Sequence, residues 1–191
     1  EVELHVINNP FSINIKKGGF EIGKMNFLVQ GNYFSAEKDI VDLKIKGNQI
    51  EILDIFSILP KKYAKLSKQY ISKGILNFEG HLNGELNNNK RLNFSVNFNA
   101  LDAYLKDKLN DIELDKVNVQ GVFNNQKQEL KIINFSSLIN EKTLNGFGSI
   151  SNFKDPIYFF SFNGKIDLNN NIFSNYLKDL SLEGETEFTL E

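Results

Sequence analysis

The sequence predicts a mainly β protein built from one antiparallel sheet, and three observations favour this fold class. Apolar and polar residues alternate with a period of two in many segments, which places one side of each strand on an apolar surface and the other in water. The chain of 191 residues contains 17 Phe and 6 Tyr, and both residue types favour strands. Turns rich in Gly, Asn and Asp separate the alternating segments. At this length, we expect one domain over residues 1–191.

The clearest pair of predicted strands flanks the turn Asn87–Lys90. The alternating segment Leu76–Leu86 precedes this turn and Leu92–Phe98 follows it, so the spacing predicts a hairpin. Eight further segments alternate in the same way. These predicted strands are Val2–Val6, Phe11–Ile15, Phe20–Val29, Val41–Lys46, Val117–Phe123, Leu130–Phe135, Leu144–Ile150 and Ile157–Leu168.

Two segments depart from the alternation and predict helices. Apolar residues between Ile55 and Tyr70 fall at helical spacing, so we predict one main helix over residues 54–71, with Asp54 as its N-cap. Pro60 is expected to separate a short first turn from the rest of this helix. A shorter helix is predicted near residues 172–177.

A short unit recurs in the predicted strands. It consists of two apolar residues separated by one position, then an acid or amide, then Gly, and it occurs at Phe27–Gly31, Leu76–Gly80, Val117–Gly121 and Leu180–Gly184. Glycine inside a strand often marks a bulge or a bend. The recurrence therefore predicts an elongated, curved sheet rather than a closed barrel.

Composition and charge disfavour several classes of function. The 22 Lys and Arg residues nearly balance the 24 Asp and Glu residues and are spread along the chain, so the basic patch of a nucleic-acid-binding protein is not expected. Because the chain has no Cys, it forms neither disulfides nor thiolate metal sites. No apolar run approaches the roughly 18–20 residues of a membrane-spanning helix.

The sequence offers few residues for catalysis. His5 and His81 lie at polar positions of alternating strands, which predicts a surface role rather than metal binding. Scattered acids leave a carboxylate pair as the one catalytic alternative, and nothing in their spacing fixes the geometry that glycoside hydrolysis needs. These acids are Asp102, Asp107, Asp111, Glu113 and Asp115. We therefore predict no catalytic residue, no metal site and no cofactor.

The apolar sides of the strands need a partner. About ten predicted strands have only one substantial and one short helix to cover them, so the sheet either folds over on itself or binds something apolar. Core and ligand surface both stay open as interpretations at this point. The alternation selects candidates for a ligand-facing surface: Leu76, Phe78, Leu92, Phe94, Val96, Phe98, Val117, Val119, Phe160 and Phe162.

The order of several motifs resembles a known family. These motifs are Val41–Gly47, Ile50–Ile58, Leu59-Pro60, Gly74–Gly80, Leu82–Gly84, Leu92–Phe98 and Ile112–Phe123. Taken together they resemble the C-terminal region of AsmA-like proteins over about residues 41–191. The resemblance implies a U-shaped β-groove with an apolar interior, similar to those of bridge-like lipid-transfer proteins. It also implies a protein of the Gram-negative cell envelope that projects into the periplasm from an inner-membrane anchor.

The functional expectation follows from this resemblance. We expect a non-enzymatic periplasmic segment that binds phospholipid or another acyl-chain lipid and contributes to outer-membrane biogenesis. Because the chain begins at Glu1 and stops at Glu191 inside an alternating segment, we expect an excerpt of a longer protein, with the anchor and flanking repeats outside it. The alternative is a structural or protein-interaction module of the envelope. An enzyme acting on polysaccharide is a third hypothesis, supported by the scattered carboxylates alone.

Overall fold

The computed structural model describes residues 3–8, 10–58, 68–87, 92–167 and 185–190. For residues 56–58, 166–167 and 185–190 the description covers the backbone. The predicted short helix near residues 172–177 lies outside these ranges, as do residues 59–67 of the predicted main helix.

Eleven strands form a single antiparallel sheet in which each strand pairs with its neighbours in the chain. The strands are β1 (Glu3–Asn8), β2 (Phe11–Ile22), β3 (Met25–Ser35), β4 (Asp39–Glu51), β5 (Tyr70–Glu85), β6 (Leu92–Asp107), β7 (Ile112–Asn124), β8 (Glu129–Ile139), β9 (Lys142–Ser151), β10 (Ile157–Asp167) and β11 (Glu185–Leu190). Helix α1 (Ile52–Ile58) follows β4, and residues 68–69, directly before β5, are also helical. The order is a simple meander in which β1 and β11 do not pair with each other, and the predicted mainly β, antiparallel class is confirmed.

The prediction of one strand over Phe20–Val29 was wrong. The chain reverses at Gly23, which has a φ of 63°, and Ile22 then pairs with Met25. A two-residue hairpin turn requires positive φ, which glycine adopts without steric cost. The alternation continues across this tight turn, so the sequence pattern alone did not reveal it.

The predicted main helix over residues 54–71 is also corrected. Helix α1 begins at Ile52, two residues before Asp54, and ends at Ile58. At the other end of the range, residues 68–69 are helical as predicted, whereas Tyr70 and Ile71 belong to β5 and pair with Asp107 and Lys106 of β6. Cross-strand hydrogen bonding and the strand preference of aromatic and β-branched residues override the helical spacing there.

Bulges explain why the observed strands are longer than the predicted ones. Pairing between β6 and β7 shifts register after Ala100 and resumes at Ala103, and Asp102 within this bulge has a φ of 49°. Facing it on β7, Lys116 also has a φ of 49°. Because each bulge interrupts the alternation of apolar and polar residues, the pattern ends near residues 98 and 117, whereas the strands continue.

The pairing registers divide the sheet into two faces. Successive residues of a strand point to opposite faces, and directly paired residues share a face. We call one face the apolar face; it includes Phe20, Met25, Phe27, Val41, Ile45, Ile50, Leu76, Phe78, Leu92, Phe94, Val96, Phe98, Ala100, Val117, Val119, Phe123, Ile132, Phe135, Leu144, Tyr158, Phe160 and Phe162. We call the other the polar face; it includes Asp42, Lys46, Asn77, Glu79, His81, Asn99, Asn118, Gln120, Asn134, Ser136, Asn145, Phe147, Phe159, Ser161 and Asn163.

Glycines on the apolar face lie beneath phenylalanine rings of neighbouring strands. Gly47 pairs with Phe78, and a Cβ atom added to Gly47 would overlap that ring. The same holds for three further cross-strand pairs, Gly121 with Phe98, Gly146 with Phe162, and Gly148 with Phe160. Absence of a side chain therefore provides the space that each ring occupies.

Substitution of these glycines should be costly only where a ring lies above them. We expect Gly47→Ala to destabilise the fold by about 1–3 kcal/mol because the added methyl group meets the Phe78 ring. Gly19→Ala is the matched control: an added Cβ there comes no closer than 3.7 Å to the Phe27 carbonyl oxygen, and its effect should stay within about 0.5 kcal/mol. Urea unfolding followed by circular dichroism measures both, and equal stabilities would contradict this account.

Candidate functional site

All of the candidate residues selected by alternation lie on the apolar face. On β5 and β6, Phe78 pairs with Phe98, and Leu82 pairs with Phe94. The same pairing places Leu76, Leu92 and Val96 there, opposite Ala100, Gly84 and Gly80. Pairing of Ala100 and Ala103 with β7 adds Val119 and Val117. Gly148 and Gly146 of β9 pair with Phe160 and Phe162. The registers thus join the candidates into one surface across β5–β10.

Aromatic rings meet across the glycines of this surface. The rings of Phe27 and Phe78 lie 5.9 Å apart, centroid to centroid, although β4 separates their strands. Phe135 and Phe162 meet at 6.0 Å in the same way across β9. Phe160 stacks beside Phe162 at 6.0 Å. Such offset and edge-to-face ring pairs are favourable arrangements.

Sequence reasoning missed several residues of this face. Phe135 follows the bulge between Ile132 and Phe135 in the β8–β9 pairing, so it falls out of step with the alternation of Leu130 and Ile132. Leu114 lies in the part of β7 that precedes the predicted strand. One sequence signal does point to Phe135. Its cross-strand partner on β9 is Gly146, and β9 has a second glycine, Gly148, two positions later.

Helix α1 covers only part of the apolar face. Ile55 packs on a cluster of Met25, Phe27 and Ile50, and Ile52 packs on a second cluster that contains Ala100 and Val117. Away from α1, large apolar side chains of the same face meet solvent. Leu4 is 51%, Ile22 is 43% and Tyr158 is 64% exposed. Among the residues that the structure describes, no second sheet lies over this face.

A cavity of about 310 Å³ lies against the apolar face between β7 and β10. Its lining is apolar throughout and includes the candidates Val119, Phe160 and Phe162 together with Phe135 and Leu144. Cavities of this size and chemistry accommodate small apolar ligands or segments of longer ones. It contains no polar group that would orient a reacting substrate.

The polar face carries ion pairs instead. Lys46 pairs with Glu79 across β4 and β5, and the Nε2 atom of His81 lies 2.7 Å from the Oδ1 atom of Asp42. These side chains are exposed, so each pair contributes little to stability. The other histidine, His5, is exposed on β1. Both histidines therefore lie at the surface.

Three of the five acids considered for a carboxylate pair serve the β6–β7 hairpin. Asp111 and Glu113 both pair with Lys106, and these partners raise the pKa of the Lys106 ammonium group. Asp107 accepts hydrogen bonds at the turn from the Leu109 N–H, at 2.9 Å, and from Asn110 Nδ2, at 2.7 Å. None of the five acids lines the apolar cavity.

Across the described ranges, His, Asp and Glu side chains do not gather in groups of three that could hold a metal ion. Within the same ranges, no helix is both long and apolar enough to cross a membrane.

The pKa of Asp107 tests the role given to this carboxylate, namely that it accepts hydrogen bonds in the turn between β6 and β7. Burial of the carboxyl group acts to raise its pKa, but hydrogen bonds from Asn110, Leu109 and Gln69 outweigh this effect and lower the pKa below 3.8. Because the pKa is depressed in the folded state, the stabilisation exists above about pH 3.9 and is lost as the pH falls through the folded value. Asn110→Ala should raise the pKa of Asp107, whereas Asn97→Ala should not.

Carboxyl-carbon NMR titration of the wild type and both variants measures these values. A pKa of Asp107 well above its ordinary range would contradict the assignment, because a raised pKa is what a general acid near neutral pH requires.

Comparison of the chain with protein-family models, curated proteins and solved structures found no match. The resemblance to AsmA-like proteins therefore stays a prediction from the sequence motifs. Functional inference for this chain depends on the chemistry of its two faces.

Proposed function

We propose that the apolar face forms a groove that holds the acyl chains of phospholipid or a similar lipid. The observation that carries this proposal is the continuity of the apolar face across β1–β10, with large side chains that α1 leaves exposed. An exposed apolar surface of this extent is typical of an interaction site. The polar face would then form the outside of the groove.

The distribution of glycine supports a surface that is concave on the apolar side. Strands two apart in a sheet are separated by about 9.6 Å, twice the spacing of neighbours. Nevertheless, the ring centroids of Phe27 and Phe78, and those of Phe135 and Phe162, approach to 5.9 and 6.0 Å. Rings that lean together over glycine favour bending of the sheet towards them. This supports the proposed U-shaped groove.

The energetics suit reversible binding. Burial of one methylene group contributes about 0.8 kcal/mol, so a chain of about fifteen methylenes gains roughly 12 kcal/mol. Immobilising a ligand costs about 4–15 kcal/mol. The free energy gained by burying the chain and the cost of immobilising the lipid are therefore similar in size. An apolar strip without specific polar contacts would then let a lipid bind and dissociate again. No catalytic residue is required, and we propose a non-enzymatic role.

The cellular setting belongs to the same proposal. We infer a periplasmic segment of an AsmA-like envelope protein, with an inner-membrane anchor outside this segment and phospholipid moving towards the outer membrane. Strands β1 and β11 form the ends of the described sheet, and unpaired strand edges readily accept further strands. Flanking repeats would extend the groove at these edges.

Adjacent phenylalanines on β10 provide a matched test of lipid binding. Phe160 lies on the apolar face and Phe159 on the polar face, where it is 51% exposed. With benzoylphenylalanine at either position, irradiation of protein produced in a Gram-negative host should attach phospholipid at position 160 and not at 159. Mass spectrometry of the irradiated protein identifies the adduct.

The outcomes of this experiment separate the alternatives. Equal labelling at positions 159 and 160 would contradict a lipid site on the apolar face. A defined protein attached at position 160, without lipid, would favour the structural or protein-interaction module. Circular dichroism of both substituted proteins controls for folding.

A further inference from the structure

A second cleft lies on the polar face of the sheet. It has a volume of about 630 Å³ and crosses β6–β10. Its polar side chains are all uncharged amides and hydroxyls: Asn99, Asn118, Gln120, Asn134, Ser136, Asn145, Ser161 and Asn163. Elsewhere on this face, the pairs Lys46–Glu79 and Asp42–His81 supply charge. The cleft is thus a neutral, hydrogen-bonding region in a polar face.

The amides form rows from strand to strand. Asn99 pairs with Gln120, which pairs with Asn134, and a second row joins Ser136 to Asn145. Neighbouring strands are about 4.8 Å apart, a spacing comparable with that between hydroxyl groups on opposite sides of a pyranose ring. Each amide presents both donors and an acceptor, which matches hydroxyl groups that also do both.

Much of this hydrogen-bonding capacity is unused. Within the described part of the chain, the side chains of Asn99 and Asn145 have no hydrogen-bond partner, and Asn134 reaches Gln120 only at 3.4 Å. Asn118, in contrast, accepts from the Asp102 N–H at 3.0 Å and donates to the Lys116 carbonyl. The free amides are therefore available to a ligand.

Apolar side chains lie beside the amides in the cleft. Phe147 is 47% exposed on β9, and Leu101 is 58% exposed on β6. The Phe159 ring, 5.9 Å from that of Phe147, supports it from one side. An exposed aromatic ring beside free amides is suited to stack on the C–H face of a sugar ring while the amides bind its hydroxyl groups.

We propose that this cleft binds a neutral oligosaccharide. Among the described residues, the lining carries no charged side chain, which favours a neutral ligand, and the amide rows with the Phe147 ring fit a chain of pyranose units. The amide rows and the proposed lipid groove lie on opposite faces of the sheet, although Phe147 lines both this cleft and the apolar cavity. Neither proposal depends on the other.

NMR titration with cellohexaose, maltohexaose, mannohexaose and chitohexaose tests the site. At least one of these should shift the side-chain amide signals of Asn99, Gln120 and Asn145. Phe147→Ala and Asn145→Ala should each weaken that binding about tenfold. Phe34→Ala is the control, since Phe34 is 38% exposed on β3, outside the cleft.

Three results would overturn the proposal. The first is that none of the four oligosaccharides shifts these amide signals. The second is that the Phe147→Ala and Asn145→Ala proteins bind the oligosaccharide as tightly as the wild type. The third is that an anionic glycan such as polygalacturonate binds more tightly than the neutral oligosaccharides. Phe160→Glu should leave oligosaccharide binding unchanged, so failure of the lipid proposal is distinguishable from failure of this one.

Discussion

Packing of phenylalanine rings over glycines of neighbouring strands is the interaction on which the apolar face depends. Gly47 and Gly146 each lie between two phenylalanines of flanking strands, and those rings come together above the glycine. A side chain at either glycine would hold the rings apart. The rings shield one another from water, and among the described residues no second sheet lies over them.

The same arrangement separates the chemistry of the two faces. The glycine–phenylalanine pairs lie on one face, whereas the ion pairs and the free amides lie on the other, together with the exposed Leu101, Phe147 and Phe159. A meander of strands joined by short turns extends this separation from strand to strand, because each register fixes which residues share a face. One sheet can therefore present an apolar surface on one side and a neutral polar cleft on the other, which are the features on which the proposed lipid and oligosaccharide sites depend.

Much of this architecture could be predicted from alternation, including the antiparallel sheet and the set of candidates that share one face. Local exceptions to the alternation could not be predicted from it. The turn at Gly23 preserves the alternation, whereas the bulge before Phe135 breaks it. Tyr70 and Ile71 have helical spacing but gain ladder hydrogen bonds in β5. The amide cleft needs the register of five strands, which distant segments determine together, so no local pattern identifies it.

Intermolecular NOE spectroscopy with palmitate tests the central claim most directly, namely that the apolar face binds acyl chains. In deuterated protein with protonated phenylalanine rings, methylene protons of the fatty acid should give NOEs to Phe135 and Phe162. Phe34 and Phe159, on the opposite face, should give none. NOEs confined to Phe34 and Phe159, or no NOE to any ring at saturating palmitate, would contradict the claim.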